Sequence, residues 1–376
     1  MKKVFCALAL GSMLLSFGCQ KEELITPQPS TERAMPATEA MAIEVSALLD
    51  EENTRLNLLD ILKEHPEGMK MTSLFELSGL DDNVNGRLRN LLNENTKVSG
   101  EQIRIPEMWL HEPAGQYNAN DLLIAFPPQG DEKDWEMVKA YTLDNKVVYL
   151  DAMETPDVPV LVVETYGYQA FEREVELMNL ELQRQGLQSP GITDYRKKNE
   201  MAQSSGLETT KLTSIRLNDD QEPWVSGSAE VYAVTSGIRN SSNEAEVAVI
   251  PMYYLDKDGT TYYPNQIMLF WDDYAYQAAN IQLFEKDSGH NYQELVSIIV
   301  SGIADIAGTL SGQYWVNALG KIASAIVEVL PSSFWTNDDD YVDSFYTIEK
   351  NRYYTNYYGA GANARVSLVP YVIAAN

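Results

Sequence analysis

Cysteine is nearly absent from this chain. The 376 residues contain two cysteines, Cys6 and Cys19, and both lie within the first nineteen positions. A chain without thiols beyond that point forms no disulfide, uses no cysteine nucleophile and binds no metal through thiolates. Histidine is almost as rare, and its three residues lie in unlike contexts without an HExxH motif. The sequence therefore predicts no catalytic residue.

Positive charge is also scarce. The chain has 28 lysines and arginines against 55 aspartates and glutamates, which gives a formal net charge of −27. Nucleic acids and anionic lipid surfaces are bound through basic patches, so neither is expected as a partner. No GxSxG elbow, P-loop or GxGxxG motif points to acyl transfer or nucleotide chemistry. A hydrolase that uses some of the many acids stays open as an alternative, although abundance makes that signal weak.

The first nineteen residues have the layout of a bacterial export signal. Lys2 and Lys3 precede an apolar run from Val4 to Leu15, and Ser16 to Gly18 lead to Cys19. The run is shorter than the roughly 20 apolar residues of a membrane-spanning helix. We therefore predict a signal peptide at residues 1–18 and lipidation of Cys19, with an ordinary cleaved signal as the alternative.

The residues around Cys19 resemble those of Bacteroidetes-type surface-exposed lipoproteins. The cysteine follows a lipobox-like stretch and precedes the charged sequence Gln20, Lys21, Glu22 and Glu23. This resemblance implies a palmitate-type anchor in the outer membrane and display at the cell surface. Residues 19–40 contain three prolines among Ser, Thr and Glu, and are expected to form a lipidated flexible stalk.

Residues 41–190 are predicted to form an N-terminal α+β domain. Leucines recur at helical spacing as far as Asn95, which indicates a helical part. Short runs such as "KVVYLDA" and "VPVLVVET" then indicate a small mixed sheet. An amphipathic helix that stops at Gly186 closes the domain. The polar stretch 191–208 is expected to be the linker.

Residues 209–376 are predicted to form an antiparallel β-sandwich. In "AEVYAVTSG", Val231, Ala233 and Thr235 face one side of a strand, and several similar runs follow. Because acid-bearing loops join the runs, the domain resembles a C2-like sandwich. Two apolar stretches with helical spacing interrupt the β pattern and predict an inserted helical hairpin at 293–330. The predicted fold class is thus α+β.

Acidic clusters follow many of the predicted strands. Calcium takes six to eight oxygen ligands from flexible loops, which such clusters could supply, although Asp also begins ordinary turns. The hypothesis is a Ca2+ site formed by some of these residues: Asp219, Asp220, Glu222, Asp256, Asp258, Glu285, Asp287, Asp338, Asp339 and Asp340. A further stretch, "DDNVNG" from Asp81 to Gly86, resembles half of an EF-hand loop but is better explained as a turn before a helix.

Tyrosine is the one residue type in excess, with 22 copies that include four adjacent pairs. Neighbouring strand residues face opposite sides, so one tyrosine of each pair could be exposed and contact a sugar or a protein. The sequence favours a noncatalytic binding or adhesion module, supported by calcium and tethered to the membrane by lipid. Its ligand would be an extracellular protein or carbohydrate. The alternative is a membrane-active effector, either pore-forming or toxin-like, that uses the 295–330 hairpin.

Overall fold

The structure is a computed structural model, and residues 36–376 form one compact unit in it. It describes residues 35–76, 82–98, 103–113, 115–130, 132–189, 206–218, 224–227, 231–240, 242, 244–255, 259–285, 292–310, 314–328 and 341–373. The described helices are α1 Ala37–Leu49, α2 Glu52–Lys63, α3 Asp82–Asn95, α4 Tyr168–Arg184, α5 Tyr292–Leu310 and α6 Trp315–Glu328.

The described strands form three sheets, and the fold is α+β as predicted. The strands of the first are β1 Met69–Lys70, β2 Glu107–His111, β3 Leu123–Ala125, β4 Met137–Thr142, β5 Val147–Asp151 and β6 Val160–Glu164. The strands of the other two are β7 Leu207–Leu217, β8 Val231–Arg239, β9 Ala245–Pro251, β10 Thr261–Tyr262, β11 Gln266–Phe270, β12 Tyr274–Glu285, β13 Tyr341–Glu349, β14 Tyr354–Tyr358 and β15 Ala364–Ile373.

The N-terminal sheet is mixed, with strand order β1-β2-β6-β3-β4-β5 and one parallel pair, β3 with β6. Helices α1, α2 and α3 bury their leucines against one face. The other face is covered by a short segment from the C-terminal half, in which Val225 is fully buried. The indole of Trp224 in that segment donates a hydrogen bond to the carbonyl of Asp151 on β5. This segment of the C-terminal half therefore packs into the core of the N-terminal sheet.

The sandwich consists of two antiparallel sheets. The covered sheet has the order β13-β12-β8-β9, and the open sheet has the order β10-β7-β15-β14 with β11 also paired to β7. Alternate residues of the two sheets meet in one apolar layer that includes Ile215, Ile281 and Val366. This inward and outward alternation is the period-two pattern that the sequence predicted.

The predicted helical hairpin is confirmed as α5 and α6. Together with α4 it covers the outer face of the covered sheet, where Ile299 and Ile322 are buried. Asn280 and Gln282 on β12 donate hydrogen bonds to the carbonyls of Leu319 and Ala323 on α6. Among the described helices, none combines the length and apolarity that crossing a membrane would require.

Helix α4 connects the two halves of the molecule. At its N-terminus the Glu107 carboxylate accepts hydrogen bonds from the backbone N–H groups of Gln169 and Ala170. In its middle the buried Asn179 amide pairs with both backbone groups of Val249, at 2.8 and 2.9 Å. Since β9 is an edge strand, Asn179 satisfies polar groups that the helix would otherwise bury unpaired.

Three details differ from the sequence-based expectation. The run "TTYYPNQIMLFW" is one of the strand-like runs that follow "AEVYAVTSG", but it forms two strands, β10 and β11, separated by a turn that contains Asn265 with a positive φ of 51°. Strand β14 was not predicted, because it is an exposed edge strand with an irregular register and no apolar alternation. Helix α3 already begins at Asp82, so most of the EF-hand-like stretch is helical rather than a turn.

The loop between β14 and β15 closes around a buried carboxylate. Asp343 on β13 is fully buried and accepts hydrogen bonds from the backbone N–H groups of Ser344, Gly361 and Ala364, at 2.7–2.8 Å. A Cβ atom placed on Gly359 would lie 2.2 Å from the Asp343 Cγ atom. This close approach explains why glycine occupies position 359.

We expect Gly359→Ala to lower the free energy of unfolding by about 2 kcal/mol or more, since the added methyl displaces the Asp343 carboxylate from its donors. Denaturant unfolding measures this change. Gly320→Ala is the control: this exposed glycine of α6 has open space around it, and alanine favours helix by about 1 kcal/mol. Equal stability of the wild-type and Gly359→Ala proteins would contradict the proposed packing.

Candidate functional site

The predicted calcium ligands fall largely outside the described residues. Of the ten acids, only Glu285 lies within them, where it is a buried residue at the end of β12. Within the described ranges, no three Asp, Glu, His or Cys side chains are grouped so that they could hold a metal ion. Cys19 also lies outside the described residues. Calcium binding and lipidation therefore stay predictions.

The histidine that the structure describes in most detail has a structural role. The Nε2 atom of His111 lies 2.9 Å from the carbonyl oxygen of Pro156, and its ring packs at 5.7 Å from the ring of Trp224. This arrangement fixes the imidazole beside the segment that covers the N-terminal sheet.

The adjacent tyrosines behave in different ways. Tyr353 is exposed and Tyr354 is buried, as predicted for neighbouring strand residues. Tyr357 and Tyr358 are both exposed, and both lie on the edge strand β14. The rings of Tyr253 and Tyr254 are half-buried and pack against each other. Among the described residues, nine tyrosines are exposed, and five of them lie on or beside the open sheet: Tyr263, Tyr353, Tyr357, Tyr358 and Tyr371.

The outward surface of the open sheet, called the open face here, carries three of the four cations of the sandwich strands, and the fourth is Arg239 on β8. Its cations are Lys211 and Arg216 on β7 and Arg365 on β15. Their sequence neighbours Leu212, Ile215 and Val366 point into the sandwich, so the cations point outward. The acid of these strands, Glu208, lies at the start of β7 and pairs with Lys350. The open face is therefore locally basic in a strongly acidic chain.

Two of the cations lie over tyrosine rings. The Lys211 Nζ atom is 4.1 Å from the centre of the Tyr371 ring, and the Arg365 guanidinium is 5.9 Å from that of Tyr358. Both tyrosines are well exposed, at 41% and 55%. An exposed cation–π pair contributes about 0.5–1 kcal/mol. These pairs hold the charged groups beside aromatic surfaces that a ligand can reach.

The sequence interpretation missed these cations because it followed acids. "KLTSIRL" and "ARVSLVPYVIA" were recognised as strands, but their outward-facing Lys211, Arg216 and Arg365 were not singled out. A signal was present in the sequence: these two strands carry three cations and only one acid, which is unusual in so acidic a chain and indicates a basic sheet face. Their juxtaposition depends on the pairing of β7 with β15, which the sequence does not reveal.

A groove of about 540 Å³ lies between α4 and α5. Leu177, Leu180, Val296 and Val300 line it, and an ion pair between Glu181 and Arg184 lies at its rim with a distance of 2.8 Å. The hydrogen bond from Arg184 lowers the pKa of the Glu181 carboxyl below its usual value. The groove is apolar and open, with its charged groups already paired to each other.

A pair of buried acids lies where α4 meets the N-terminal sheet. Glu107 on β2 and Glu164 on β6 are direct cross-strand partners. Burial raises the pKa of Glu107 to about 7, against the lowering effect of its hydrogen bonds from Gln169 and Ala170 and of the charge on Lys70. Burial and the neighbouring Glu107 charge raise the pKa of Glu164 well above its usual value. Both carboxyl groups therefore keep their protons to a higher pH than an exposed glutamate does.

We expect the stability of the protein to fall between about pH 4.5 and pH 7 because of Glu107. The folded state holds its proton more tightly than the unfolded state, so its contribution is complete at low pH and is lost as the pH rises through about 7. Glu107→Gln does not titrate. As the pH rises through this range, the free energy of unfolding of the wild type should therefore fall by about 3 kcal/mol more than that of the variant.

The control for this comparison is Glu51→Gln. Hydrogen bonds from Thr54 lower the pKa of Glu51, so its contribution is lost only at lower pH. Its stability profile above pH 5 should run parallel to that of the wild type. Parallel profiles of the wild type and Glu107→Gln would instead contradict a proton held by Glu107.

Calcium binding has its own test. If the acidic loops bind the ion, calorimetric titration of calcium into chelator-treated protein should release or absorb heat with a defined stoichiometry, and the melting temperature should rise. The paired change Asp256→Asn and Asp258→Asn should weaken binding, whereas Asp60→Asn on α2 should not. If the titration gives no heat and the melting temperature does not change, the protein does not bind calcium and the prediction is wrong.

Comparison with known proteins identifies a family but no activity. The family described as "Protein of unknown function (DUF3103)" matches residues 33–376, so the chain belongs to that family. No curated protein and no solved structure matches the chain. The family description lends no substrate, partner or catalytic residue to the open face.

Proposed function

We propose that this member of the DUF3103 family is a lipid-anchored binding protein of the outer membrane, displayed at the cell surface, whose ligand contacts the open face. The observation that supports this proposal is the presence of three outward cations, two of them over exposed tyrosine rings, on one sheet of a chain with a net charge of −27. Such a combination of polar and aromatic groups suits recognition of an extracellular carbohydrate or protein.

The other sheet surfaces are occupied by packing. Within the described residues, the covered sheet lies between the open sheet and helices α4, α5 and α6. The N-terminal sheet has helices on one face and the segment around Val225 on the other. On the open face, Leu207, Ile267, Phe270 and Ile373 form a small apolar cluster in which the last three are buried. The half-buried Arg216 and Arg365 and the exposed Tyr358 lie on the rest of the open face. It is therefore the surface that we assign to the ligand.

The hairpin is the basis of the alternative membrane-active role. For α6 to enter a membrane, the hydrogen bonds from Asn280 and Gln282 would have to break. The buried Ile322 and Ile326 would also have to leave the outer face of the covered sheet. Each such side chain contributes about 1.5–3 kcal/mol through burial, which favours the docked hairpin.

We expect wild-type cells to incorporate labelled palmitate into this protein and to lose the protein when intact cells are treated with protease. Cys19→Ala should abolish both results, because the thiol is the proposed attachment point for lipid.

A Lys211→Gln and Tyr371→Ala double variant should be displayed normally but should reduce adhesion of the cells to a mucin-coated surface. Adhesion is measured by counting retained cells under flow.

The matched control is Arg87→Gln, which makes the same charge change on α3, where Arg87 pairs with Glu44. Cells with this variant should adhere like wild-type cells. If the open-face double variant and the wild type adhere equally, the open face is not the binding surface and the proposed function is wrong.

A further inference from the structure

We infer that the open face binds an acidic polysaccharide, and that Arg216 and Arg365 together hold one of its carboxylate or sulfate groups. This inference rests on the proposed function, because it names the class of ligand for the same face. Four residues in register across the open sheet carry the argument.

The four residues lie in one row across neighbouring strands. Tyr358 on β14 pairs with Arg365 on β15, Arg365 pairs with Arg216 on β7, and Arg216 pairs with Thr261 on β10. Neighbouring strands are about 4.8 Å apart, so the row spans about 14 Å. The two arginine side chains therefore leave neighbouring strands on the same face, with the phenol of Tyr358 on one flank and the hydroxyl of Thr261 on the other. The Arg365 guanidinium lies 5.9 Å from the centre of the Tyr358 ring, and the Arg216 guanidinium lies beside Gly259, so the two groups flank the space that the anion would occupy.

Two like charges directly opposite each other on paired strands are unfavourable. Among the described residues, neither Arg216 nor Arg365 forms an ion pair with a carboxylate. Glu208 lies at the other end of β7 and is paired with Lys350. An anion bound between the two arginines would turn this repulsion into two charge-assisted contacts.

The chemistry of the flanks selects a sugar-borne anion. A guanidinium presents a planar fork of donors that matches the two oxygens of a carboxylate or sulfate. The exposed ring of Tyr358 offers an apolar face beside that fork, and the hydroxyl of Thr261 offers a hydrogen bond on the opposite side. A uronic acid or a sulfated sugar has all three complementary parts: an anion, an apolar ring face and hydroxyls.

A second cationic position makes a polymer the best ligand. Lys211 lies five residues before Arg216 on β7, which corresponds to about 16 Å along a strand, and it is held over Tyr371. A chain with repeated anionic groups can contact both positions at once, which raises its effective concentration at the second. The face presents few cations for a nucleic acid, which binds through many phosphate contacts.

The acidity of the rest of the chain does not prevent such binding. Charges are screened over about 8 Å at physiological ionic strength, so the cations nearest to the ligand dominate its field. The acids next in sequence to this row, Asp219, Asp220, Asp256 and Asp258, lie outside the described residues. The single variants Arg216→Gln and Arg365→Gln test whether these acids neutralise one of the arginines: if they do, only one of the two substitutions weakens polymer binding.

The experiment is a calorimetric titration of the full mature protein with three polymers: a polyuronate, dextran sulfate and neutral dextran. We expect at least one anionic polymer to bind and neutral dextran not to bind. Arg216→Gln and Arg365→Gln should each weaken binding about tenfold, and the double variant about a hundredfold. The comparison of polyuronate with dextran sulfate identifies the preferred anion.

Two controls separate the paired fork from general charge. Arg87→Gln removes one positive charge from α3 and should bind like the wild type. Arg365→Lys keeps the charge but loses the planar fork, so its affinity should fall between those of the wild type and Arg365→Gln. Without polymer, Arg216→Gln should melt no lower than the wild type, because it removes a like-charge repulsion and keeps the Arg365–Tyr358 pair.

Several results would overturn the inference. These are a failure of both anionic polymers to bind, equal affinities of the double variant and the wild type, or an effect of one arginine alone, as expected if nearby acids neutralise the other. Equal competition by polyphosphate or single-stranded DNA would assign the face to phosphate polymers instead. If cells still adhere through the open face while the polymers fail, only this inference is lost. Adhesion that is insensitive to the open face removes the proposed function itself.

Discussion

The structure depends on the burial of one helix, α4, between two β-rich halves. Its apolar side chains Phe171, Val175, Met178 and Leu182 are buried in the core that it shares with the covered sheet, and each contributes about 1.5–3 kcal/mol. This burial is possible because the polar groups along the helix are satisfied. Glu107 caps the first turn, Asn179 pairs with the edge strand, and Arg239 donates to the carbonyl of Gly186 beyond the last turn. A buried helix without such partners would lose more than it gains.

The same logic explains where charges are buried and where they are exposed. Glu107 and Glu164 are buried beside α4, where burial favours the protonated form and one acid raises the pKa of the other. Asp343 is buried too, but a loop of backbone donors closes around it. Arg216 and Arg365 are the reverse case: they face each other at the surface, where an added anion can reach them. The buried acids thus belong to the fold, whereas the two half-buried arginines lie on the outward side of the open sheet.

The layered arrangement makes the open face available. The α5–α6 hairpin covers the sheet from which it emerges, and its polar contacts to Asn280 and Gln282 fix it there. The segment around Trp224 performs the corresponding task for the N-terminal sheet. The hairpin thus packs on the covered sheet and the Trp224 segment on the N-terminal sheet. Among the described residues, neither a helix nor this segment packs on the outward side of β7, β14 and β15. The proposed adhesion surface is therefore a consequence of how the insertions dock.

The sequence by itself determined the α+β class, the alternation of the sandwich strands such as β8, and the helical hairpin, because each depends on local periodicity. It also restricted thiol chemistry, since both cysteines precede residue 20. The tertiary structure decided which sheet face stays open, and it brought Arg216 next to Arg365 and Glu107 next to Glu164. The irregular edge strand β14, which places Tyr358 beside Arg365, likewise became visible only there. The physical reason is that strand register is set by packing between distant segments, which a periodic pattern along the chain does not encode.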